Sequence, residues 1–288
     1  MTTAQNISAG DGGPALRSRT GAPLSVLAAF PLAVLVALVS LVGVFGTNVY
    51  ALETANWKGQ AIGQDWADLL FAVPWLAIAG VLAARGSRRG SLMLASGLLY
   101  TFYEFVIYCF GLHFNALFLP YCAILGICFF ALGGIGVSYA RTDIHGWYLR
   151  TAPIRLAATM LLAVGISFAL LWLAEIIPAL LNGTVPPSVA SAGTPTNPVY
   201  VLDLSVVLPA HLLTGISLLR RRPLGLMLAP ILLGFDVLMA LSIAGMMWVM
   251  KQRGLEANHA VAAAMLGIGL VSGLALVRLL RGLRSAHE

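Results

Sequence analysis

The apolar residues of this chain fall into runs of roughly twenty, each bounded by a short polar loop. A helix of that length crosses a hydrocarbon core about 30 Å thick, at about 1.5 Å of rise per residue. A chain built from such runs folds as spanning helices, because lipid leaves backbone groups no partner but each other. Composition agrees. The hydrophobic fraction is 59% and the charged fraction 10%, whereas soluble domains carry roughly 25% charged residues. So few charges cannot cover the surface of a soluble chain of 288 residues. The sequence predicts an all-α integral membrane protein.

The runs place eight transmembrane helices at about 24–46, 67–84, 91–112, 116–139, 156–181, 200–219, 224–250 and 260–280. Residues 1–22 are rich in Gly, Ala, Ser and Thr and read as a disordered tail. The run that follows is longer than the roughly 7–15 residues of a signal-peptide core, so it is kept as the first span. NVYALETANWKGQAIGQDW, after that span, reads as a polar loop and puts Asp65 outside the membrane. NGTVPPSVASAGTPTNP has no helical period and reads as a second loop.

The net charge of +6 is carried by arginines in the loops, not along one face. That pattern is a topology signal and argues against nucleic-acid binding. Arg17 and Arg19, then Arg85, Arg88 and Arg89, then Arg141, Arg150 and Arg155, then Arg220, Arg221 and Arg222, then Arg278, Arg281 and Arg284 share one side. Only Lys58, Lys251 and Arg253 fall on the other. Both termini are therefore expected in the cytoplasm. Cys109, Cys122 and Cys128 lie in apolar runs without a CxxC pair, so neither a redox dithiol nor a zinc site is indicated.

One stretch occurs twice. DLLFAVPWLAIAGVLAARGSRRGSLMLA starts at Asp68, and DLSVVLPAHLLTGISLLRRRPLGLMLA starts at Asp203. Each has an acid followed six residues later by a proline, an arginine cluster, and a new run opening on Leu-Met-Leu-Ala. The expected architecture is two parallel four-helix repeats, 23–140 and 156–288, joined by a cytoplasmic linker over 141–155. Sites in such folds lie at the repeat interface.

A charged side chain at a helix centre costs about 2.5–3.5 kcal/mol on the insertion scale. Those that occur in spans face a partner, water or the bundle interior. Here they are Asp68, Glu104, Glu175, Asp203, His211 and Asp236. Tyr100, Glu104 and Tyr108 share one helix face, which suggests a carboxyl held between tyrosine hydroxyls. With no arginine or lysine in the bundle, these acids are expected to be neutral, hydrogen-bonded, or matched by a cation or His211. The expected site is a polar cavity lined by Tyr100, Glu104, Tyr108, Asp203, His211 and Asp236, opening to the outside.

A haem b site wants deep histidines facing each other. Only His211 is deep, with His113 and His259 at the rim. A metal held by His211, Asp236 and Glu104 would need three helices to converge. No catalytic elbow or phosphate loop occurs. The residues therefore indicate no catalytic group, metal or cofactor. His113 and Asn115, in the turn after the third span, read as a helix-capping pair or as part of an outer site.

FGLHFNALFLPY (Phe110 to Tyr121), with NVYALE after the first span and VLDLSVVLP on the sixth, resembles a group of uncharacterised bacterial multi-pass membrane proteins. The resemblance covers most of the chain after the tail. It implies a bacterial cytoplasmic (inner) membrane and brings no activity or site residues. Three functions stay open: binding or transport of a small solute or cation, a membrane-embedded enzyme or redox subunit, and a non-catalytic accessory subunit. The lipid bilayer is the one partner the sequence names, and it leaves the oligomeric state open.

Overall fold

The computed structural model describes residues 24–284. The tail expected over 1–22 lies outside them. Among the described residues, eight helices are long and apolar enough to span a membrane. They are α1 (Leu24–Phe45), α2 (Ala55–Ala84), α3 (Arg88–Gly111) and α4 (Phe118–Ala140). There follow α5 (Arg155–Asn182), α6 (Pro198–Leu219), α7 (Pro223–Gln252) and α8 (His259–Arg281). The chain is an all-α, eight-span membrane protein. Phe30, Phe110, Leu181 and Leu270 point outward and are exposed. Water would not tolerate so much exposed apolar surface, whereas lipid solvates it.

Two expected loops are helical. α2 begins at Ala55, not near 67, because Thr54 caps it: its Oγ1 accepts the Trp57 N–H at 3.2 Å. Polar side chains had hidden the helical period there. Asp65 consequently lies inside a span and is 1% exposed. In the second loop, Pro187–Ala192 forms a short helix. Its Ser188 N–H donates to Glu175 Oε1 at 2.8 Å, so Glu175 ties down this loop.

α2 and α6 each contain one π-helical turn, Asp68–Ala72 and Asp203–Val207. Val73 N–H donates to the Asp68 carbonyl, and Leu208 N–H to that of Asp203. The cause lies one residue on, at Pro74 and Pro209. A proline ring clashes with the carbonyl four residues back and offers no N–H. Widening the turn by one residue accommodates both defects. The acid-to-proline spacing read in the sequence is thus the span of the π turn and its exit.

The two helices also end alike. Gly86 N–H donates to Ala83 O at 2.9 Å and Ser87 N–H to Leu82 O at 3.1 Å. Arg221 N–H donates to Leu218 O at 2.8 Å and Arg222 N–H to Ser217 O at 2.9 Å. Gly86 and Arg221 both adopt positive φ, 78° and 49°. This is a left-handed helix stop, and only α2 has the glycine that suits it.

α1 packs on α2 and α4, and α3 on α2 and α4. α5 packs on α6 and α8, and α7 on α6 and α8. Between these groups α3 meets α7, and α2 crosses α7. The α2–α7 crossing is close at Gly63, where a Cβ would sit 2.7 Å from the Met246 Cα. Gly59 and Gly63, one turn apart, make the small face that such contacts use.

Loop contacts sort the two ends. At the arginine-rich end, Leu149 N–H donates to Gly282 O at 2.9 Å, Arg284 N–H to Trp147 O at 2.8 Å, and Arg221 Nη2 to Ala152 O at 2.9 Å. At the arginine-poor end, Thr54 Oγ1 donates to Ser191 O at 2.8 Å and Trp57 Nε1 to Gly111 O at 2.7 Å.

Candidate functional site

α3 runs through the middle of the bundle and presents its polar face to α2. Tyr100, Glu104 and Tyr108 do share that face, but the tyrosine hydroxyls pass Glu104 by. Tyr108 OH donates to Asp65 Oδ1 at 3.0 Å, and Tyr100 OH to Asp68 Oδ1 at 3.3 Å. The expected tyrosine–glutamate clasp is therefore replaced by two tyrosine–aspartate contacts. A tyrosine is long enough to cross to the next helix, whereas Glu104 one turn away is not where its hydroxyl ends.

Asp65 receives a second donor, Tyr50 OH at 2.7 Å on Oδ2. Asp68 also takes Ser40 Oγ at 3.4 Å and Gln64 Nε2 at 3.3 Å. Gln64 in turn donates to Tyr100 OH at 2.5 Å and accepts from Ser242 Oγ at 2.5 Å, which links α2, α3 and α7. Glu104 stands beside Asp68 with both carboxyl oxygens buried and without a hydroxyl, amide or ring N–H donor. Like charges about 4 Å apart repel by about 4 kcal/mol even at an effective dielectric of about 20. The three carboxyls therefore hold protons or a cation between them.

Asp203 is satisfied within the protein. Tyr103 OH donates to Oδ1 at 2.9 Å and Trp172 Nε1 to Oδ2 at 2.7 Å. On the same helix His211 is fully buried, with Nδ1 2.7 Å from Val207 O and Nε2 2.8 Å from Asp236 Oδ1. A carbonyl only accepts, so Nδ1 carries a proton. The bond at Nε2 then needs a second proton, shared as imidazolium–carboxylate or as imidazole and carboxylic acid. Either way the pair is neutral overall, which is what lets it sit at mid-helix in lipid. Asp236 Oδ2 is left without a partner.

Tyr100, Glu104, Tyr108, Asp203, His211 and Asp236 all line one cavity of about 630 Å³. It runs from Ser191 and Val261 at the arginine-poor end down to His211 and Asp236. α2 and α3 form one side, and α5 to α8 the other. Its wall is mostly apolar, contrary to the polar lining expected, with Phe168, Leu171, Met239 and Ile243 among the residues that face it. The reason is that α8 brings only Val261, Ala264, Met265 and Ile268 to the wall, and α7 brings Asp236 alone among apolar residues.

Sequence reasoning missed Asp65, Gln64 and Trp172. Gln60, Gln64 and Asp68 share helical spacing, which could have extended α2 backward. Nothing local marks Trp172 as the partner of Asp203. Asn115 Nδ2 donates to His113 O at 3.2 Å, but the His113 side chain turns to Glu53 instead. The His113 N–H donates to Glu53 Oε1 at 2.7 Å and its Nδ1 lies 3.0 Å from Oε2, while Asn115 Oδ1 takes the Leu117 N–H at 2.9 Å. No group of three or more His, Cys, Asp or Glu among the described residues is disposed to hold a metal ion. No protein-family model, curated protein or solved structure matches the chain.

Proposed function

We propose that this protein binds, and passes or senses, a small amphipathic solute in the cavity between two four-helix halves. The observation that carries the reading is the cavity itself. It has the volume of a small-molecule site, in the range of about 300–1,000 Å³. Its wall is apolar apart from a few convergent polar groups, which is the usual make-up of such sites. The matched π turns, helix stops and packing of α1–α4 and α5–α8 support a duplicated, parallel arrangement with the site where the halves meet.

The arginine asymmetry favours both termini in the cytoplasm and a mouth on the outer side of a bacterial cytoplasmic membrane. A C-terminal fluorescent-protein fusion that glows, with a C-terminal alkaline phosphatase fusion that is inactive, is the expected outcome. The reverse pair of results overturns the orientation.

The cavity is tested by filling it. Ile243 lines it and is half-buried. A solvent-sensitive apolar dye should bind the purified full-length protein, and Ile243→Trp should abolish that binding without lowering the melting temperature. Equal dye binding by the wild type and the filled variant would refute the site.

A further inference from the structure

Glu104 offers the cavity something that its other acids do not. Both of its carboxyl oxygens are buried and accept no bond from a hydroxyl, amide or ring N–H, its nearest ionisable neighbour being another acid, Asp68, with which it can share a proton; the residue is 4% exposed. Asp203 has both oxygens engaged. Asp236 keeps one free oxygen, but its other is bonded to His211, which also supplies the charge balance. Glu104 has no such companion. Beside it stand Asp65 and Asp68, two more acids. Among the described residues, the ion pairs are His113 with Glu53 and His211 with Asp236, and neither reaches this group. The cluster is short of positive charge, and its one member without such a donor faces the cavity.

The surroundings suit a cation of one kind. Tyr100, Tyr103 and Tyr108 bring aromatic rings to the same wall, with Phe168 and Trp172 from α5. Ring faces attract alkylammonium and guanidinium groups. The remaining apolar wall is wasted on a bare ion but accepts a hydrocarbon chain. Resting on the reading of this cavity as a binding site, we propose that its ligand is an organic amine, with the ammonium on Glu104 and the apolar body against α5 and α7. The N–H groups donate to the two free oxygens, and the positive charge offsets the acids. An organic acid of the same length meets like charge and is rejected. An alcohol fits the apolar wall but brings no charge.

The test uses three six-carbon probes, hexylamine, hexan-1-ol and hexanoate, on the purified full-length protein in neutral detergent. Trp57 and Trp172 line the cavity, so intrinsic fluorescence reports occupancy, with calorimetry as a check. Hexylamine should bind at least about tenfold more tightly than the alcohol, as charge-assisted hydrogen bonds predict, with hexanoate weakest. Glu104→Gln should bring the amine within about twofold of the alcohol and leave alcohol binding unchanged. Asp236→Asn should keep the amine preference. Amine and alcohol binding equally to the wild type would overturn the inference and leave the cavity reading standing. So would loss of the preference in Asp236→Asn alone, which would move the ammonium to the wrong acid. No binding of any probe, or binding that survives Ile243→Trp, overturns the cavity reading instead. Should Glu104→Gln fail to fold, the wild-type ratio of amine to alcohol decides the matter by itself.

Discussion

The interior of α1–α4 is solid near its arginine-poor end, whereas α5–α8 face α2 and α3 across a hollow. In the first group Phe105, Tyr108 and Tyr121 form a contiguous aromatic plug, with ring centroids 5.1 to 5.8 Å apart. Tyr50 closes it from above Asp65. The cavity on the other side is walled by Phe168 and Met265 and, beside His211 at its floor, by Val164. The helices themselves differ accordingly. α3 carries Tyr100, Phe102, Tyr103, Phe105, Tyr108 and Phe110, whereas α7 has Phe235 and Trp248 and a run of methionines, Met239, Met246, Met247 and Met250. Aromatic rings fill space and hold shape, and methionine adapts to what enters. The contrast shows that an aromatic central helix makes a rigid pillar, and a methionine-rich one leaves room for a pocket.

Four measurements would break or sharpen that contrast. The largest effect is expected at the one buried pair of the hollow side. His211→Leu strands Asp236 and should cost about 3–5 kcal/mol, read as a large fall in melting temperature in detergent. If it costs nothing, the pair is not what holds α6 to α7. Next comes truncation on the two sides. Tyr121→Ala should cost about 3–5 kcal/mol, since Tyr121 is 1% exposed in close packing. Phe168→Ala, which only enlarges a space already present, should cost under about 1.5 kcal/mol. Equal costs would mean that the two interiors are equally packed.

A smaller effect is expected from Tyr108→Phe. It keeps the ring but withdraws the donor from Asp65 Oδ1, for about 1–3 kcal/mol. Asp65→Asn in that background should recover part of the loss, measured as a double-mutant cycle. The smallest test compares the two helix stops. Gly86→Ala forces a side chain into the left-handed region and should cost about 1 kcal/mol. Arg221→Gly should be neutral or slightly stabilising, because the strain it relieves is set against the lost bond to Ala152 O. Opposite signs at these positions would reveal the same backbone under two different sequences.

How much of this was legible beforehand can be argued from particular residues. The apolar runs gave seven of the eight spans to within a few residues, because lipid imposes one length on all of them. The exception was α2, where Asn56, Lys58, Gln60 and Gln64 diluted the run although the helix face beneath them is buried against α7. The paired acids and prolines were visible as letters, but the π turns that they create were not. A widened turn is a backbone response, and hydropathy carries no trace of it. The six site residues stand out in the sequence as polar at depth, and they line one cavity from both of its sides. Their partners could not be read. Helical spacing says which residues share a face, not how far each side chain reaches across to the next helix. Tyr100 and Tyr108 therefore belonged to α2, and Glu104 was left unclaimed.

The π turn at Asp68 also fixes how α2 can be aimed. One extra residue in a turn rotates everything beyond it by about 100° about the helix axis. The first part of α2 can therefore set Gln64 and Asp65 toward α3 and α7, while the part after the π turn sets Leu76 and Ala79 into the dry core near the arginine-rich end. A straight helix would have to compromise between the two directions. α6 makes the same adjustment at Asp203, and it is this azimuthal offset that lets His211 swing under the cavity floor rather than out toward the acyl chains.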